Sequence, residues 1–242
     1  MKREIKGVWL ASVAVMMACA GQAAESIYSN DFESYTAGNL RTQDSWGQYV
    51  NSASPQVTTG KGNNTSKVLG PSTSATESGN ALRTVKLGLA SYNTGTFSVD
   101  LFRGAAGTTI HKMYAGFGSS SDLTSGIAIY ATSGNLQIRD GASTGTFYKL
   151  RDAAGSSVVT DFDKWMRVTV ELDFQNNLIT KVSVQNLDTL VTKQLYFDSA
   201  GAQATKAYLV DEAKWDRAYI RTGLSTDNAH YIDNLSLTAV SK

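Results

Sequence analysis

Residues 165–174 read WMRVTVELDF, and the apolar side chains Met166, Val168, Val170, Leu172 and Phe174 fall on every second position. Arg167, Thr169, Glu171 and Asp173 occupy the positions between them. Residues two apart on a strand share a face, whereas a helix would scatter this set around its axis. The stretch therefore reads as a half-buried strand, the kind found in antiparallel sheets with one dry face. LITKVSVQNL, residues 178–187, repeats the alternation with Ile179 or Val182 and Val184. QNN at 175–177 supplies a tight connection, so 165–174 and 178–187 form a β-hairpin.

The same period recurs along the chain. TFSVDLF sets Phe97, Val99 and Leu101 against Ser98, Asp100 and Phe102, and GIAIYA and NLQIRD are shorter instances. TSGN at 132–135 and RDGASTG at 139–145 carry turn chemistry. Residues 51–80 are rich in Ser, Thr, Gly and Asn and read as loop, with one short strand near Lys67–Leu69. The best helical signal is YLVDEAKWDRAYI, where Asp211 would cap a single turn before a strand begins at Tyr219. Short strands and polar turns, with one polar and one apolar face per strand, predict an all-β fold. Its architecture is a two-sheet antiparallel β-sandwich of jelly-roll type.

The first residues are excluded from this fold. MKREIK is a basic opening, GVWLASVAVMMACAG an apolar run and QAA a small-residue exit. That is the pattern of a secretory signal peptide over residues 1–24, too short and wrongly flanked for a membrane span. Cleavage is expected near Ala24, with Ala20 and Ala23 as alternatives. A secreted or periplasmic protein follows, with one variant. Cys19, the single cysteine, sits in MMACAG, which resembles a bacterial lipoprotein box except that Met16 stands where leucine is usual. Lipid attachment there would hold the protein at the cell surface. Either way the remaining domain, 25–242, contains no disulfide.

The whole chain carries a formal charge of +1. Without Lys2, Arg3, Lys6 and Glu4 of the leader it is about −1. Such a balance creates no field for nucleic acid, and no transmembrane segment is visible. The oligomeric state is open.

At its start the mature chain reads IYSNDFESYTAGNL and then SWGQY; at its end it reads HYIDNLSL, with DKWMRVTVELDFQNNLIT between. Together these resemble the concanavalin A-like lectin/glucanase group of jelly rolls, including laminin-G-like domains of exported bacterial proteins. The resemblance spans roughly residues 27–240 and implies the fold more strongly than any activity. Such folds bring the first and last strands together, and many hold a structural calcium there. Carried over, Glu33 of DFE and Asp233 of IDN would be the side-chain ligands, with Asp31, Asn30 or backbone carbonyls completing the shell. An ion would also explain Asp233, which shares strand parity with Tyr231, Leu235 and Leu237 and so would face the core. The alternative is that Asp233 accepts backbone N–H bonds at a bulge while Glu33 is solvated.

Catalytic signals are thin. Family 16 glycoside hydrolases, which share this fold, carry Glu-x-Asp-x-(x)-Glu on one strand. Here Glu171 and Asp173 match its first two acids, but Gln175 and Asn176 stand where the second catalytic carboxylate belongs. His111 and Tyr114, three apart, do not share a strand face as a jelly-roll lyase would need. Two histidines and no mature cysteine argue against zinc.

Sugar binding needs exposed rings with Asn, Asp or Arg beside them. Trp215, among the charged residues of EAKWDRA, is the first candidate, followed by Trp46 and Tyr49 of SWGQY. Tyr130, with Gln137 and Arg139 on a neighbouring strand, would line a concave face. Trp165 is expected to cap the core, and core packing competes with ligand stacking for Trp46. The expectation is a non-catalytic, lectin-like module whose partner is a glycan or a cell-surface component. A polysaccharide-active enzyme and a structural or adhesion protein of the envelope are the alternatives.

Overall fold

The computed structural model describes residues 22–48, 52–104, 113–119, 122–131, 135–139, 147–158, 161, 163–207, 214–224 and 230–242. Two antiparallel sheets make the framework. The six-stranded sheet is built from β5 (Gly79–Thr84), β7 (Met113–Ser119), β8 (Asp122–Ala131), β9 (Leu136–Arg139), β10 (Phe147–Lys149) and β15 (Arg217–Thr222), in the order β10-β9-β8-β7-β15-β5. The ten-stranded sheet contains β1 (Glu25–Asn30), β2 (Gly38–Asn39), β3 (Gln56–Thr59), β4 (Lys67–Gly70), β6 (Tyr92–Arg103), β11 (Lys164–Asp173), β12 (Leu178–Asn186), β13 (Thr192–Leu195), β14 (Lys206–Ala207) and β16 (His230–Ser241). Its main path is β13-β12-β11-β6-β16-β4-β3-β2, with β1 added beside β16 and β14 beside β12. The expected hairpin is β11–β12, and the short strand expected near Lys67–Leu69 is β4.

Alternation decides which side chains enter the sandwich. Val168 and Val170 of β11 stand opposite Val99 and Phe97 of β6, and all four are buried. From the other sheet come Met113, Ala115 and Phe117 of β7 with Ile127 and Ile129 of β8. Phe117 joins the layers, its ring 5.4 Å from both Phe97 and Tyr28 in edge-to-face contacts. The predicted all-β sandwich is what forms.

The parity of YIDNLSL breaks at its centre. On β6, Asp100 and Ser98 are two apart; on β16 their partners Asp233 and Ser236 are three apart. The extra residue is a β-bulge, and Asn234 takes a left-handed φ of 49° within it. Asparagine is one of the few side chains that tolerate that conformation. The bulge moves Tyr231 and Asp233 to the outer face, while Leu235 and Leu237 face inward. The expectation that all four share the core face is thus corrected: Asp233 lies outside, opposite Asp100.

A small second core covers part of this outer face. Phe102, Trp165, Tyr231 and Val68 cluster there, so Trp165 does not cap the main core as expected. The loop after β3 folds over them. The Trp165 indole Nε1 donates to the Lys61 carbonyl (2.8 Å), and the Lys61 ammonium lies 5.2 Å from the Tyr231 ring centre. Gly62, at φ 60°, rests on Phe102, where an added Cβ would meet the ring at 3.0 Å.

Candidate functional site

Two outer surfaces carry chemistry. On the six-stranded sheet, the residues alternating with the core set include Tyr114, Ala128, Tyr130, Gln137, Arg139, Phe147, Lys149, Arg217, Tyr219 and Arg221. Four rings, from β10, β8, β7 and β15, form a row on this face. Phe147 lies 4.7 Å from Tyr130, Tyr130 stacks on Tyr114 at 5.2 Å and 13°, and Tyr114 meets the edge of Tyr219 at 5.5 Å. Guanidinium groups flank the row. That of Arg139 lies 5.3 Å from the Phe147 ring centre and that of Arg221 lies 5.9 Å from Tyr114. Burial pushes the Tyr130 hydroxyl up to about 12, against the opposing pull of Arg221 and Arg139.

The centre of the face has almost no side chains, since Gly116, Gly118, Gly126 and Ala128 lie there. A Cβ on Gly116 would come within 2.2 Å of the Ile127 carbonyl oxygen, and one on Gly126 within 1.8 Å of that of Phe117. The two backbones approach more closely than any larger residue allows. Tyr130 and Tyr219 are buried under their neighbours, while Phe147 and Lys149 are exposed and Tyr114, Gln137, Arg139 and Arg221 are half-exposed.

The second surface is a cavity of about 430 Å³ on the outer face of the ten-stranded sheet, lined by five carboxylates and one guanidinium. Arg167 clamps Asp100 with two bonds of 2.7 Å, from Nε and Nη2 to separate oxygens. Asn234 Nδ2 donates to Asp100 Oδ2 (2.8 Å). Asp233 accepts from the Asn234 backbone N–H (2.8 Å) and from Asn64 Nδ2 (2.9 Å). Burial, with Asp100 and Glu33 nearby, still raises the Asp233 carboxyl to about 7. Glu33 Oε1 accepts from the Lys67 backbone N–H (2.7 Å), and Asp31 Oδ1 from that of Glu33 (3.1 Å).

Asp31, Glu33 and Asp233 therefore line one cavity, where the two ends of the chain meet as the resemblance implied. Their oxygens suit calcium in kind. Their arrangement does not make a cage: among the described residues no three His, Cys, Asp or Glu side chains converge to hold an ion.

The aromatic candidates fare differently. Trp215 is not on an exposed loop; it is 3% exposed and belongs to the main core, its charged neighbours pointing outward while the indole turns in. Trp46 is equally buried and donates from Nε1 to the Tyr35 hydroxyl (3.0 Å), which also accepts from Asn30 and donates to Asp44. Neither ring offers a face to a ligand. Tyr49 and His111 lie outside the described residues, as does Asp211. Tyr130, Gln137 and Arg139 do share one face, but Tyr130 supports the stack from within it.

Glu171 and Asp173 have local work: Glu171 pairs with Lys181 (2.8 Å), and Asp173 accepts from the Gln175 and Asn176 backbones in the hairpin turn. Sequence reasoning passed over Asp100, Arg167, Asn64 and Phe147. Alternation puts Asp100 on the polar face with Ser98, so no local signal marked its burial.

No known protein family matches the sequence, and no curated protein matches it. Among solved structures, the carbohydrate esterase vb_24B_21 from the Shiga toxin-encoding bacteriophage phi24B is 10% identical, with a TM-score of 0.53 over 90% of this chain and 100% of that one. Lectin II from Ulex europaeus is 11% identical, again with a TM-score of 0.53, 90% of this chain and 100% of that one. The likeness is one of fold: two antiparallel sheets packed as a lectin-like β-sandwich. No helix among the described residues is long and apolar enough to cross a membrane.

Proposed function

We propose that the chain is a carbohydrate-binding module that acts without catalysis and holds its ligand on the outer face of the six-stranded sheet. The observation that carries this reading is the supported ring row. Phe147 and Tyr114 reach the surface from a stack fixed by Tyr130, with Gln137, Arg139 and Arg221 beside them. Rings take the apolar faces of sugars, and rim amides and guanidiniums take hydroxyls. The fold is shared with a lectin and with a carbohydrate esterase, which supports the class of ligand without choosing between binding and turnover.

A glycan array with the purified chain tests the reading. Binding that is lost in Phe147→Ala supports it. Release of new reducing or unsaturated ends from a bound polysaccharide would instead favour the enzyme. One observation gives that second reading a foothold: Asp233, raised to about 7, stands beside Asp100 on the neighbouring strand in the lining of one cavity, an arrangement suited to proton transfer. A chain that binds no glycan but self-associates or captures envelope protein would favour the structural role.

Calcium at Glu33, Asp233 and Asp31 is a separate proposal, supported by the excess of carboxylates in that cavity. A melting temperature that rises with calcium, falls with chelator and loses both responses in Asp233→Asn would support it. Export through residues 1–24 belongs to the same reading. N-terminal sequencing of the exported protein distinguishes cleavage near Ala24 from lipid attachment at Cys19.

A further inference from the structure

We propose that the ligand of the six-stranded sheet is a carboxylated glycan, a chain of uronate residues. This rests on the glycan-binding reading and narrows it. Among the residues whose side chains are described, this face carries the cations Arg139, Lys149, Arg217 and Arg221 and no Asp or Glu. Among the described residues Arg217 alone has a carboxylate near it, that of the adjacent Asp216 at 3.7 Å. Among the described residues Arg221 donates to the Ser78 hydroxyl alone (3.2 Å). Arg139 makes no hydrogen bond or ion pair among the described residues, and its guanidinium lies over Phe147.

Cations are normally matched by nearby acids, and on the opposite face of this protein Arg167, Lys164 and Lys181 all are. Positive charge that meets no acid among the described side chains, on a face that also presents rings, points to an anion brought by the ligand. The guanidiniums of Arg139 and Arg221 lie over rings, so a partner would approach them at an in-plane edge. A carboxylate meets that edge with two coplanar oxygens.

The test is calorimetric titration of the purified chain, without calcium, with polygalacturonate, its fully methyl-esterified form, and dextran sulfate. The expected result is binding to polygalacturonate that weakens with added salt and is about tenfold or more weaker for the ester, a loss of ~1.4 kcal/mol. Arg139→Gln should weaken polygalacturonate binding by a similar factor, and Arg139→Lys should recover only part of it, because the fork is lost while the charge remains. Lys149→Gln, on an exposed side chain, guards against a folding artefact at Arg139. Equal binding of the ester overturns the inference and leaves glycan binding standing. Preference for dextran sulfate overturns the carboxylate. Failure of all three overturns the inference, and it sinks the wider reading too if the neutral glycans of the array are also silent.

Discussion

The two outer faces of this sandwich are built from the same alternating strands, yet their polar groups are in opposite states. On the ten-stranded sheet the carboxylates are answered from within: Asp100 by Arg167 and Asn234, Asp233 by Asn64 and the Asn234 backbone, Glu33 by the Lys67 backbone. On the six-stranded sheet Arg139 and Arg221 lie against rings without an acidic partner among the described residues. A face whose groups satisfy one another contributes to stability and holds the chain ends together. A face whose charges are left over is prepared for something that arrives. On the reading proposed above, one side is structural and the other recognises the ligand, and substitutions can separate the two roles.

Arg167→Ala should have the largest effect on folding. It leaves Asp100, whose side chain is 2% exposed, without its guanidinium. Breaking a buried pair from one side costs about 3 kcal/mol or more, although the partial exposure of Arg167 moderates it. For a domain of this size that is a fall of roughly 10 °C in melting temperature. A loss below about 0.5 kcal/mol would mean that the acidic face is not structural, and the comparison would break.

Asn234→Val comes next. It places a β-branched residue at φ 49° and removes the bond to Asp100, together about 2 kcal/mol. Asn234→Gly keeps the conformation and loses only the bond, so its urea midpoint should fall between wild type and valine. If glycine is as damaging as valine, the side-chain bond matters and the bulge conformation does not.

These two residues also mark where the sequence stopped being legible. The hairpin β11–β12 was visible because period-two alternation is local and unbroken. The parity of Asp233 was misread because a single bulge residue inverts every assignment after it. The dipeptide Asp233–Asn234 inside a strand was its only local signal. The Arg167–Asp100 clamp depends on the β6–β11 register, which pairs residues far apart in the chain, and no local pattern encodes it. Trp215 failed for a different reason: charged neighbours describe the backbone's surroundings, while the rotamer of one large side chain decides its burial. The ring row was half legible. Tyr130 and Arg139 could be put on one face from alternation alone, but the stack that buries Tyr130 and leaves Phe147 outside requires all four strands.

Asp233 gives a smaller, pH-dependent effect. Its folded value near 7 lies above the ordinary 3.8, so between these limits the folded chain binds a proton that the unfolded chain has released. The contribution is complete below pH ~4, declines as pH rises, and is lost above pH ~7. About 1 kcal/mol is expected across that window, since polar neighbours relax around the charge. Asp233→Asn should flatten this part of the stability profile measured in urea. A wild-type profile that rises from pH 4 to 7 by the amount seen in Asp233→Asn would remove the buried carboxyl from the account. With calcium present the decline should shrink, because an ion favours the charged form.

Phe147→Ala has the smallest expected effect on folding and separates the faces most clearly. The ring is 37% exposed at the end of its stack, so its removal should change stability by no more than about 0.5 kcal/mol. Ligand at about a hundred times its Kd should stabilise the wild-type chain by about 2.7 kcal/mol. The same gain should survive in Arg167→Ala, which starts from a lower melting temperature, and vanish in Phe147→Ala, which starts from an unchanged one. If Arg167→Ala loses the gain and Phe147→Ala keeps it, the roles are reversed: the acidic cavity is then the binding site, and the aromatic row is a structural staple of the six-stranded sheet.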